Sequence, residues 1–264
     1  MALKYSEYLQ LEKILDAQNQ LSVGPEHDEM LFIIIHQAYE LWFKEILHEM
    51  DYLKLLLGKT DLPRSLHTMK RILTILKILV AQIDILETMT PLEFLSFRDR
   101  LESASGFQSA QFRELELTLG KRTPGMLKRA YFGEEERTKI ERRINEPSLW
   151  DAFVQYLSSK GYEVPQGVLK RDYTNPLEAS KDIQEILKDI YMNDPAAAQF
   201  CEMLVDLDEG FQEWRYRHVK MVQRTIGTKK GTGGSDGVEY LISTLNQPFF
   251  PDLWEIRTEL KKYD

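Results

Sequence analysis

The stretch 26–57, EHDEMLFIIIHQAYELWFKEILHEMDYLKLLL, decides the fold class. Its apolar residues fall at Leu31, Ile34, Ile35, Ala38, Leu41, Trp42, Ile46, Met50 and Leu53, the three-and-four spacing of a helix with one apolar face. Pro25 suits its first turn and Gly58 its C-cap. Outward from there, Pro63–Met89 repeats the pattern through Leu66, Met69, Ile72, Leu76, Leu79, Ile83 and Leu86. Thr90 reads as the N-cap of a short helix that Pro91 opens and that runs to Leu101. Phe107–Leu119 is a helix ended by Gly120, and Leu149–Ser159 one stopped at Lys160-Gly161. Glu134–Asn145 is charged enough to read as solvated, and Tyr162–Asn175, with Pro165 and Gly167, as a loop. Leu177–Met192 is helical, and Asp194-Pro195 caps a long helix to Ile226. No alternating strand pattern, repeat or linker interrupts this series. The expectation is therefore one all-α, bundle-like domain over residues 1–264.

Composition narrows the function. A hydrophobic fraction of 43% in 264 residues supports a sizeable core and excludes a disordered chain. The net charge of −8 argues against a nucleic-acid partner, which needs a basic patch. The longest strictly apolar run, Met30 to Ile35, is far short of the ~20 residues of a membrane span, so no membrane partner is expected. The N-terminus MALKYSEYLQ has no signal-peptide character. The single cysteine, Cys201, permits no intrachain disulfide, and a reducing, cytoplasmic compartment is expected.

Few residues can carry chemistry. His36 follows the run LFIII in mid-helix, with Phe32 one turn before it and Tyr39, Glu40 and Phe43 after it. An imidazole on an apolar face must be hydrogen-bonded or liganded, so His36 is either a satisfied core histidine or a site residue. His218, in EWRYRHVKMVQR, has Trp214 four residues before it and Val219 and Val222 beside it. That setting suits a proximal haem ligand, whereas Arg215, Arg217, Lys220 and Arg224 suit a surface histidine in a basic helix. Glu45 and His48 make one Glu-x-x-His pair, but no other histidine has glutamate three residues before it, which disfavours a carboxylate-bridged di-iron site. Arg98, beside Phe94 and Phe97, reads either as a carboxylate clamp or as a stem packed on apolar surface. Five of the fourteen glycines fall within Gly227–Gly237, a segment that fits neither phosphate-loop pattern and reads as a flap or a flexible connection.

Four stretches together resemble the tryptophan 2,3-dioxygenase family: DEMLFIIIHQAYELWFKEILHEMD, FRDRLESASGFQSAQFRELE, WRYRHVKMVQRTIG and KKGTGGSDGVEYL. YSEYLQL near the N-terminus and FFPDLWEIR near the C-terminus are similar to it too. The resemblance implies an all-helical haem dioxygenase fold with one haem b per subunit. It implies that both atoms of O2 enter the indole C2–C3 bond of L-tryptophan, giving N-formyl-L-kynurenine, the first step of the kynurenine pathway.

Residue by residue, His218 matches the proximal haem ligand and Ser105 a serine near the haem. Phe32 and His36 match the residues that stack on the indole and face its N–H, within a substrate-contact stretch that includes Ile33, Ile34 and Ile35. Arg98 matches the carboxylate clamp. Phe94 stands beside it where some members have Tyr, and Thr232 matches a contact to the amino-acid end of the substrate. Asp236 stands where other members have Ser. Tyr5 and Tyr8 match residues of an N-terminal segment, 1–20, that completes a neighbouring subunit's site, and a homotetramer built as a dimer of dimers is implied. Two other readings are a related haem protein acting on another indole or aromatic amino acid, and a non-enzymatic helical scaffold.

Overall fold

Two short helices, α1 (Tyr5–Tyr8) and α2 (Leu11–Leu15), bury no residue and lead into α3 (His27–Gly58). The structure, a computed structural model, describes residues 2–24, 26–123, 125, 131–227, 229 and 238–260. Pro25 lies outside them. At 1.5 Å per residue α3 is about 48 Å long. It buries Ile35, Tyr39, Phe43, Ile46, Met50, Leu53 and Leu57 along one face. Gly58 is the last helical residue rather than the C-cap. The chain reverses at Thr60, which takes the left-handed conformation at φ 54°. Gly58 itself needs no positive φ, so its glycine character is not what ends the helix.

Asp61 caps α4 (Leu62–Leu86) by accepting from Arg64 N at 3.2 Å. A capping box of Thr90 and Glu93 opens α5 (Pro91–Arg98), whose continuation to Leu101 tightens into a 3-10 turn. Ser109 caps α6 (Ala110–Thr118), and Gly120 ends it at φ 106°. α7 (Glu134–Asn145) is not wholly solvated. Ile140 is fully buried, and Arg143 reaches Asp51 at 2.7 Å and Glu114 at 3.2 Å. α8 (Leu149–Ser159) follows, and the expected loop after it contains α9 (Gln166–Leu169) behind Pro165.

α10 (Lys181–Asn193) begins four residues later than the apolar pattern suggests. Ser180 caps it there, and the Asp252 carboxylate fixes Ser180 N at 2.8 Å. α11 (Pro195–Ile226) matches α3 in length and carries the Asp194 cap with Pro195 at its start. α12 (Val238–Ser243) and α13 (Pro251–Glu255) close the chain. The described residues contain no strand, and the fold is all-α.

α4 packs along both α3 and α11; α6 and α8 cover α3, and α10 and α13 cover α11. One continuous apolar core runs through these helices. α4 and α11 approach closely at Gly210, where an added Cβ would stand 2.6 Å from Leu76 Cδ2. No helix of the described residues is long and apolar enough to cross a membrane.

Candidate active site

Helical period decides which residues reach the site. On α3, Phe32, His36, Tyr39 and Phe43 share one side and face a cavity of about 260 Å3. On α11, Trp214, His218, Met221 and Thr225 do the same from the other side. Phe94 and Arg98 of α5, and Ser105 in the turn before α6, complete the wall. Six residues singled out in the sequence thus meet in one cavity: Phe32, His36, Phe94, Arg98, Ser105 and His218.

Ile33, Ile34 and Ile35 do not reach it. Each step along a helix turns about 100°, so of the four residues after Phe32 only His36 comes back to face the cavity. Ile35 packs into the core, and Ile34 is exposed. Tyr5 and Tyr8 are 75% and 72% exposed and lie away from this cavity. Thr232 and Asp236 lie outside the described residues, as does most of Gly227–Gly237. His48 is exposed, and among the described residues no three His, Cys, Asp or Glu side chains gather as a metal-ion site.

The two imidazoles are held differently. Nδ1 of His36 lies 2.7 Å from the Phe32 carbonyl oxygen. A carbonyl can only accept, so Nδ1 carries the proton and Nε2 keeps its lone pair. Burial outweighs the Phe32 carbonyl and the Glu40 charge and lowers the His36 pKa, which favours the neutral ring. Phe32 stands against it, ring centroids 4.1 Å apart, and also contacts Phe94 and Phe97 at 5.8 and 5.5 Å.

The His218 ring is stacked on Trp214, centroids 5.2 Å apart and planes within 5°. Among the described residues nothing hydrogen-bonds it. Burial, and then the charge that His36 would carry, push its pKa down to about 4, so it too is neutral at pH 7. Trp214 is fixed in turn by Phe112 at 5.1 Å and by Tyr39 at 6.2 Å. The Tyr39 hydroxyl donates to the Leu79 carbonyl at 2.7 Å and ties α3 to α4.

A neutral, unpartnered imidazole facing an apolar cavity is a Lewis base in search of an acceptor. Among the described residues no three metal-ligating side chains gather there, so His218 offers a metal a single imidazole.

The sequence did not single out the polar wall. Arg113 and Glu116 of α6 and Arg215 of α11 line the cavity, all buried. Arg113 Nη1 donates to Glu116 Oε2 at 2.5 Å, and Arg215 Nη2 lies 3.4 Å from Oε1. The i,i+3 spacing of Arg113 and Glu116, and of Arg215 and His218, was the available signal. Arg217, by contrast, leaves the site to pair with Asp84 and Glu87 beside it. On the cavity's α3 side, Glu40 takes Gln111 Nε2 on its carboxylate at 2.8 Å and on its carbonyl at 2.9 Å.

The family model described as Tryptophan 2,3-dioxygenase matches residues 1–147 and 134–260. The tryptophan 2,3-dioxygenase of Herpetosiphon aurantiacus is 56% identical over 259 residues, covering 98% of this chain and 99% of that protein. That of Anaeromyxobacter sp. (strain K) is 51% identical, covering 98% and 97%. That of Myxococcus xanthus is 44% identical, covering 97% and 89%. Matched along nearly its whole length, with both histidine helices inside the match, the chain belongs to the tryptophan 2,3-dioxygenase family.

Proposed function

We propose that this protein is a haem-dependent dioxygenase that inserts both atoms of O2 into the indole C2–C3 bond of L-tryptophan, giving N-formyl-L-kynurenine, the first step of tryptophan degradation by the kynurenine pathway. The observation that carries this reading is the pair of neutral imidazoles facing one largely apolar cavity, one unpartnered and one with a free acceptor nitrogen. Haem b, one per subunit, supplies the redox chemistry by which O2 reacts with the indole.

The chain supplies position. His218 holds the iron, its ring orientation fixed by Trp214. Ser105, whose hydroxyl accepts from Phe107 N at 3.3 Å, shapes the turn beside the haem. Phe32 stacks on the indole, and Nε2 of His36 accepts from the indole N–H, which its tautomer and low pKa permit. Arg98 takes the carboxylate through its fork, beside Phe94, and Thr232 contacts the amino-acid end. Phe94 offers no hydroxyl, so Arg98 carries the carboxylate without a phenol beside it. Apolar walls exclude water and strengthen each of these contacts.

The assembly in this reading is a homotetramer, a dimer of dimers, whose 1–20 segments complete neighbouring cavities. Support comes from the exposure of Tyr5 and Tyr8 and from the way that Glu29 fastens the base of the arm, accepting from Leu21 N at 2.7 Å and Ser22 N at 3.0 Å. The compartment is the cytoplasm, which suits the single buried thiol of Cys201.

Haem-reconstituted protein, reduced and given L-tryptophan under air, should show a Soret band and release a product with the absorption of formylkynurenine. His218→Ala should lose haem and activity together. A wild-type protein that takes up no haem, or a haem protein that leaves tryptophan untouched, would refute the proposal.

A further inference from the structure

The polar wall of the cavity carries more positive charge than its acid offsets. Glu116 is the hub, with Arg113 at 2.5 Å, Lys121 at 3.3 Å and Arg215 at 3.4 Å: three cations on one carboxylate. Asp208 also acts on Arg215, but its oxygens are already taken by Phe249 N, Phe250 N, the Trp254 indole N–H and Gln212. Burial lowers the pKa of both Arg215 and Lys121, and the neighbouring guanidinium charges push the same way against the pull of Glu116. Arg113 is 6% exposed, and its Nε is buried with no partner. Its guanidinium is held over the rings of Phe112 and Phe107 at 4.9 and 5.6 Å, and that of Arg215 over Phe249 at 4.7 Å. Arg215 Nη1 also donates to the Thr244 and Gln247 carbonyls at 3.4 and 3.3 Å, which fix its fork. Two buried, ring-clamped guanidiniums bordering a cavity are the preorganised half of a carboxylate site.

We infer that Arg113 and Arg215 form a carboxylate subsite in the cavity and that its occupant is a propionate of the porphyrin. This rests on the haem reading above. Arg215 precedes His218 by three residues, so both project from one side of α11 within a turn, as an iron ligand and a contact at the porphyrin edge must. Arg98, the residue assigned to the substrate carboxylate, sits on α5 instead. The propionate lowers the surplus positive charge of the wall, and Glu116 holds the two arginines in place for it.

The test compares two ligands of the same iron and macrocycle, haem and haem dimethyl ester, the second lacking both negative charges. Each is titrated into haem-free protein and read by its Soret band. Wild-type protein should bind haem at least about ten-fold more tightly than the ester, as one charge-assisted hydrogen bond provides. Arg113→Met, which keeps the stem and removes the charge, should weaken haem about ten-fold and leave the ester within two-fold. Equal affinity of wild-type protein for the two porphyrins would overturn the subsite without any variant, even if Arg113→Met fails to fold. Equal weakening of both ligands in the variant would overturn it too. If instead Arg113→Met keeps the preference for haem but raises KM for tryptophan and not for tryptamine, the subsite serves substrate and the propionate assignment falls. Wild-type protein that binds neither porphyrin would refute the haem reading itself.

Discussion

Gly210→Ala puts the geometry of the frame to a test in which even the sign is informative. Gly210 lies inside α11, where alanine is favoured over glycine by about 1 kcal/mol, so a harmless methyl would make the protein more stable. The structure says that it is not harmless. The new Cβ would sit 2.6 Å from Leu76 Cδ2 and 3.2 Å from Cγ, against the ~3.5–4.0 Å of an ordinary carbon contact. Leu76 is 2% exposed, packed in the core of α4, and cannot swing into solvent. The helices must part by about 1 Å or Leu76 must leave its rotamer, at a cost of about 1–3 kcal/mol. The net change is a loss of up to about 2 kcal/mol. Leu76→Ala alone should cost about 2–5 kcal/mol through its cavity, but it also makes the room that the new methyl on α11 needs. The double variant should therefore be more stable than the sum of the two single changes allows, by about 1–3 kcal/mol. Urea unfolding of the four proteins at one pH measures this. A stabilised Gly210→Ala, or strict additivity, would refute the close approach of α4 and α11. His218 stands eight residues further along α11, so parting these helices also moves the proposed iron ligand, and on that reading Gly210→Ala should weaken haem binding.

Arg98→Ala should lower kcat/KM for tryptophan by one to two decades, the worth of a charge-assisted hydrogen bond, and affect tryptamine far less; equal losses would contradict the clamp. His36→Ala should cost about ten-fold in kcat/KM, the loss of one hydrogen bond and a steric wall, whereas a thousand-fold loss would mark His36 as an obligatory base. Burial pushes the Asp151 carboxyl up, but the fork of Arg171, at 2.6 and 2.8 Å, and the Ser148 bonds hold it below the ordinary range. Its stabilisation is therefore complete above the unfolded pKa near 4 and lost as pH falls through the lower folded value. Asp151→Asn should accordingly be less stable than wild type at pH 6, with the gap narrowing by pH 3 in urea unfolding.

What could be read from the chain alone follows from how local each feature is. Phe32 and His36 are one turn apart and share a face by helical period, and Trp214 and His218 do the same, so both halves of the cavity were legible as pairs. The isoleucine run between Phe32 and His36 sits in a stretch that resembles the family, yet the 100° step carries Ile34 to the surface and Ile35 into the core. Arg215 read only as one of four basic residues around His218, because its carboxylate partner is Glu116, 99 residues away. Arg143 was hidden in the same way, since Asp51 lies 92 residues earlier. Sequence periodicity reports which face is apolar and is silent on which charges meet inside. Those are the contacts that tertiary packing alone creates.

The site exists because the frame keeps two long helices apart. α4 packs along α3 and α11 together and so fixes their separation without filling the space between them. Trp214 closes one end of that space against Tyr39, Phe43 and Phe112, with centroids 6.2, 6.5 and 5.1 Å away. His218 then lies on the open side of this aromatic wedge, half-buried and parallel to the indole of Trp214, with no hydrogen-bond partner among the described residues. A satisfied core histidine would have been bonded, as Nδ1 of His36 is to Phe32. The wedge instead leaves His218 neutral, fixed in plane and unpaired, at the cost of a pKa near 4. Folding keeps such a costly group when a ligand repays it. The same argument applies across the cavity to the buried, unpartnered Nε of Arg113. One cavity thus holds the unbonded imidazole of His218 and the guanidinium of Arg113, which Glu116 pairs at 2.5 Å while its Nε stays unpartnered. In the reading proposed above, the iron of the porphyrin takes the first and a propionate the second.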